Sequence, residues 1–162
     1  MSLVEVIHNS AYAAHIRESQ YIYPLMQCVH ITGLAMFAGG MALTNARVAG
    51  LGASVPLLDL GRHTMRVAWI GLALIVLTGV NMAASFLEVF AVSTVMQFKL
   101  GLVLLALVNA VVLQRGLSGA GAPWAASPPN PASARKWAAL GVTVLMVIIT
   151  LGKLLAYIGG KD

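Results

Sequence analysis

The stretch YIYPLMQCVHITGLAMFAGGM, Tyr21 to Met41, decides how the chain is read. It contains no Asp, Glu, Lys or Arg. It is also about as long as the roughly 20 residues a helix needs to cross the hydrocarbon of a bilayer. Within it lies His30, and an imidazole in lipid costs free energy unless it faces a partner, a cavity or a ligand. Tyr21 and Tyr23 suit the membrane interface, and Pro24 suits a first helical turn. Gly33, Gly39 and Gly40 are small enough to let another helix approach closely.

The remainder of the chain fits that environment. Of 162 residues, 59% are hydrophobic and 9% are charged, and the mean hydropathy is +0.87. So few charges cannot form the polar shell of a soluble core. The net charge is +5, but the basic residues sit at the ends of apolar runs. That placement is a topology signal and argues against nucleic-acid binding. Cys28 is the single cysteine, which excludes an internal disulfide framework and a multi-cysteine zinc site. The first twenty residues hold His8, Asn9, His15, Arg17 and Glu18, so they do not read as a cleavable signal peptide.

These features predict an all-α fold, an integral membrane four-helix bundle in one domain spanning 1–162. Residues 1–20 read as a short amphipathic helix with Val4, Ile7, Ala11, Ala14 and Ile16 roughly on one side. His8 and His15, seven apart, would share a face. Such a helix either lies against the headgroups or folds a histidine over the membrane domain. Spans are expected at about 21–45, 66–88, 94–115 and 136–158. Residues 116–134, rich in Gly, Ala, Ser and Pro, read as a flexible loop. The link around Glu88 to Thr94 lacks a strong breaker.

Four spans place both termini on one side. The first and third connections carry Arg47, Arg62, Arg66, Arg115, Arg135 and Lys136, six of the ten basic residues, against Asp59. The positive-inside rule then predicts cytoplasmic connections and periplasmic termini in a bacterial inner membrane.

At about 1.5 Å per residue, antiparallel helices convert sequence position into depth. His30, Asn81, Lys99, and Lys153 with Tyr157 then all fall in the outer leaflet, one group from each helix. The lysines alternatively snorkel to the headgroups, and Asn81 and Asn109 alternatively make plain interhelical hydrogen bonds. His30 is short and lies deepest. Three chemistries fit it. One is haem b, with lysines at the propionates and His8, His15, a methionine or a second subunit completing the axial pair. The second is copper, with Met26 one turn before His30, Cys28 nearby, and Met82 and Met96 near the outer helix ends; soft ligands of this kind suit Cu(I). The third is quinone binding or the stabilisation of a membrane partner, without a resident cofactor. No hydrolase triad, zinc-protease motif or phosphate loop is present.

Ile16-Arg17-Glu18-Ser19, Tyr23-Pro24, His30-Ile31-Thr32-Gly33-Leu34-Ala35, Thr78-Gly79, Phe98-Lys99, Asn109 and Gly152-Lys153-Leu154-Leu155-Ala156-Tyr157 are spread over nearly the whole chain. With these motifs the sequence resembles a bacterial family of small four-helix membrane proteins of unknown function. It departs from that pattern at Gln27, where an acidic residue is usual, and at Lys153, where arginine is usual. More distantly, His30 followed by Gly39-Gly40 is similar to the CopD-type copper-resistance membrane proteins. The expected function is a non-catalytic membrane subunit, haem b-bearing or quinone-linked, in a homo-oligomer or membrane complex. A CopD-like copper protein and a purely structural subunit are the alternatives.

Overall fold

A computed structural model describes the backbone of residues 3–87, 93–118 and 132–158, and the side chains of these apart from 3–4, 95 and 152–158. The helices are α1 (Leu3–His8), α2 (Ala11–Glu18), α3 (Ile22–Val48), α4 (Leu57–Ser85), α5 (Thr94–Ser118) and α6 (Ala132–Ile158). No strand occurs among the described residues. Four of these helices, α3 to α6, are long and apolar enough to cross a membrane. The chain is a multi-pass membrane protein with an all-α, four-helix architecture. Much of the expected 116–134 loop, and most of the link before α5, lie outside the described residues.

The long helices run past their expected ends. At 27 residues, α3 is about 40 Å long, against a hydrocarbon thickness of about 30 Å. Its last turns therefore reach the interface. The start of α4 moves furthest, from the expected 66 to Leu57. Pro56 supplies a fixed φ just ahead of the first turn, and Asp59 in that turn complements the positive helix end. Arg62, His63 and Arg66 therefore lie on the helix itself. The His63 Nδ1–H donates to the Asp59 carbonyl one turn back at 2.8 Å. In the intervening turn, Gly50 and Gly52 hold φ of 106° and 63°, values that favour glycine. Arg47 closes this turn by donating from Nε to the Val55 carbonyl at 2.7 Å.

The four long helices pack in chain order around a ring: α3 against α4, α4 against α5, α5 against α6, and α6 back against α3. The closest pair is α3 with α4, where the backbones touch. A Cβ on Gly33 would come within 2.8 Å of the Gly71 carbonyl oxygen, and one on Gly40 within 2.5 Å of the Thr64 carbonyl oxygen. Gly33 and Gly40, two turns apart, thus form the stripe that small residues provide between membrane helices. Gly39 meets nothing within 4 Å.

Burial is uneven along the bundle axis. Call the end with the α3–α4 turn the connection end, and the opposite end, where α3 begins, the terminal end. Met41, Val48, Leu57, Met65, Leu113, Leu117, Ala134 and Ala138 are buried in the half nearer the connection end. Between Ile22 and Thr32 of α3, and between Thr94 and Leu105 of α5, no described side chain is fully buried. The α4–α5 seam follows the same trend. Leu117 seats against Gly61, and the Trp69 indole N–H donates to Gln114 Oε1 at 3.4 Å, both toward the connection end. Among the described residues, the bundle is packed more tightly toward the connection end than toward the terminal end.

The N-terminal segment differs from the single amphipathic helix expected. It breaks at Asn9-Ser10, where the Ser10 hydroxyl caps α2 by accepting from the Ala13 N–H. This break changes the facing of His8 and His15: His8 is half-buried and His15 is exposed. The α2 helix packs on α4 and α3, burying Ala13 and Ile16. It therefore roofs the terminal end.

Candidate functional site

The site is built around His30, half-buried on α3 and facing α4. Its Nδ1 lies 2.8 Å from the Thr78 hydroxyl. That hydroxyl also lies 2.6 Å from the Leu74 carbonyl one turn back, to which it donates. A threonine hydroxyl carries one proton. With that proton on Leu74, the Thr78 oxygen is left to accept from a His30 Nδ1–H, an arrangement that favours the Nδ1–H tautomer. In that tautomer Nε2 keeps its lone pair, which can accept a proton or ligate a metal. Gly79, next to Thr78, makes room for the ring: a Cβ there would sit 3.2 Å from His30 Cε1. The Thr78-Gly79 pair thus both orients and accommodates the imidazole.

Lys99 is half-buried on α5. Its ammonium lies near enough to His30 to act on it electrostatically. His30 and Lys99 are the two expected site residues that interact electrostatically.

Asn81 has a different neighbourhood. Its Nδ2 donates to the Leu77 carbonyl at 2.6 Å, and its Oδ1 accepts the Tyr12 hydroxyl from α2. One turn on, Arg17 donates to the Ser85 carbonyl at 3.1 Å, near the end of α4, where a cation is favourable. Asn81 therefore fastens the roof above His30. Beside it, Tyr23 packs edge-on against Phe86, with ring centroids 5.4 Å apart.

The other expected ligands are dispersed. Met26 is half-buried one turn from His30, Cys28 is exposed, and Met82 and Met96 are half-buried. Met41 and Met65 are core packing residues. His8 is half-buried and His15 exposed. Among the described residues, no group of three or more His, Cys, Asp or Glu converges. Lys153 and Tyr157 lie on α6, and their side chains fall outside the described residues.

Sequence reasoning missed three features: the roles of Tyr12 and Arg17, the orienting role of Thr78, and the part of Thr44, Asn45 and Thr64 in a second polar layer. That layer lies toward the connection end and also holds Asn109, whose interhelical hydrogen bond was expected and is made to the Trp137 carbonyl; all four are buried. The Thr44 and Thr64 hydroxyls meet across the α3–α4 seam at 2.7 Å. The available signal was the pair Thr44-Asn45 inside an apolar run. Compared with known proteins, the chain matches no family model, no curated protein and no solved structure.

Proposed function

We propose that the protein is a non-catalytic, quinone-linked membrane subunit that binds a quinol head group in its terminal half, that end facing outward. The observation that carries this reading is the contact of His30 Nδ1 with a Thr78 hydroxyl that donates to Leu74. A neutral imidazole with an unprotonated Nε2 accepts a hydrogen bond, and a quinol hydroxyl donates one. Lys99 of α5, which acts electrostatically on His30, would supply a donor to a second oxygen of the same ring. An isoprenoid tail would leave through the α4–α5 seam into the lipid, so the ligand would reach its site without crossing water. Such sites are mostly apolar, with a few placed polar groups. Electron transfer itself would belong to a partner in a membrane complex.

The same Nε2 supports haem b as a second reading. A metal-bound histidine typically has its other ring nitrogen held by a hydrogen bond, as Thr78 holds Nδ1 here. His30 would be one axial ligand and Lys99 would meet a propionate. Three assays on protein purified into lipid nanodiscs separate the possibilities. Quinone extracted in near-stoichiometric amount without a Soret band supports the first reading. A Soret band lost in His30→Ala supports haem. Copper by elemental analysis, in a colourless quinone-free protein, would favour instead a copper protein built on His30 and Met26.

A further inference from the structure

We propose that a water molecule is bound inside the connection-end half of the bundle, donating one hydrogen to Asn45 of α3 and the other to Asn109 of α5. Both asparagines are 0% exposed. Their amide nitrogens are engaged: Asn45 Nδ2 donates to the Met41 carbonyl at 2.8 Å, and Asn109 Nδ2 donates to the Trp137 carbonyl of α6 at 2.8 Å. Those bonds fix which end of each carboxamide is oxygen. Neither Oδ1 accepts a hydrogen bond from any described residue. A buried acceptor left in that condition costs about 1–3 kcal/mol, and here two occur in one layer.

The two amides also approach one another. Asn45 Nδ2 lies 2.8 Å from the position a Cβ on Gly141 would occupy, and Asn109 Oδ1 lies closer still to that point. Gly141 follows Trp137 by one turn of α6. Its missing side chain is what lets the Asn109 amide lie along that helix and reach the Trp137 carbonyl. Three helices therefore converge at Gly141, where the unpartnered Asn109 Oδ1 meets the carboxamide of Asn45, whose own Oδ1 is likewise without a donor.

The chemistry of these acceptors selects the occupant. Two orphan acceptors match the two hydrogens of one water, and buried waters make about three hydrogen bonds. Asn45 Nδ2 carries a second N–H that would supply a third. A metal cation would need about six oxygens and would bring a charge into the bilayer interior beside neutral amides. The neighbouring Thr44 hydroxyl already lies 2.8 Å from the Gly40 carbonyl. The water would tie α3, α5 and α6 at one level in the more tightly packed half.

The test is a density map at about 2 Å resolution of the full chain in lipid, obtained with a bound antibody fragment. The expected result is a peak at hydrogen-bond distance, about 2.7–3.0 Å, from both Asn45 Oδ1 and Asn109 Oδ1. The same peak should be missing in Asn109→Leu. A map in which the two carboxamides bond directly to each other, or in which neither oxygen has a third atom within reach, would overturn the proposal. So would a peak with six oxygens at about 2.3–2.6 Å, the spacing of a bound cation. Should Asn109→Leu fail to fold, the wild-type map alone decides.

Discussion

The Thr78 hydroxyl donates to Leu74 and lies 2.8 Å from His30 Nδ1, so one threonine favours the Nδ1–H tautomer of the histidine that faces it. Thr78→Val keeps the side-chain shape and removes the acceptor. The expected cost is about 1 kcal/mol of stability, the usual net value of a hydrogen bond. Quinone retention should fall as well, because the ring is no longer held with Nε2 outward. Thr78→Ser restores the hydroxyl and should behave like the wild type. Thermal unfolding in detergent, with quinone extraction on the same samples, reads both effects.

The α3–α4 contact gives a second comparison. Gly33→Ala places a methyl group 2.8 Å from the Gly71 oxygen and 2.9 Å from Leu74 Cβ. Forcing the helices apart should destabilise the bundle by about 1–3 kcal/mol. Gly39→Ala meets no neighbour and improves helix propensity by up to about 1 kcal/mol. It should be neutral or mildly stabilising. Loss of stability in Gly39→Ala comparable to that in Gly33→Ala would place a further helix against that face.

The roof at the terminal end is held by Tyr12 on Asn81 and by Arg17 on the Ser85 carbonyl. Tyr12→Phe with Arg17→Ala removes both polar ties while leaving Ala13 and Ile16 to pack. Amide hydrogen exchange in α2 should then accelerate, while α4 and α5 near the connection end remain protected. Unchanged exchange in α2 would mean that apolar burial alone holds the roof.

The chain's membrane character was legible because lipid removes the ambiguity that soluble cores leave. Each span carries its own backbone hydrogen bonds, so long apolar runs between basic residues map directly onto α3 to α6. Helix ends were less legible, since Arg62 and His63 fall ahead of the span expected at about 66–88 and are helical because Pro56 and Asp59 start the helix earlier. Of the site, His30 and Lys99 were visible as polar groups at matching depth. Thr78 was not visible as the orienting group, because a threonine in a membrane helix usually bonds only its own backbone. The Asn45–Asn109 layer depends on which faces of α3, α5 and α6 turn inward, and no single span reveals that.

Orientation is testable directly. Six of the ten basic residues lie in the two connections at one end of the bundle or on the adjoining helix ends. Alkaline phosphatase fused after Asp162 should be active, and a fluorescent protein fused there and dependent on the cytoplasm should be dark. The opposite pattern would turn the terminal half toward the cytoplasm.

The central claim is that His30 and Lys99 together hold a quinol head in the terminal half. Quinone retained per protein in nanodiscs tests it most directly, compared across wild type, His30→Ala, Lys99→Met and Lys136→Met. Each of the first two substitutions should weaken binding by tenfold or more, the equivalent of about 1.4 kcal/mol for one lost contact. Lys136→Met, exposed at the other end of the bundle, should retain quinone like the wild type. Equal quinone content in all four proteins would contradict the account.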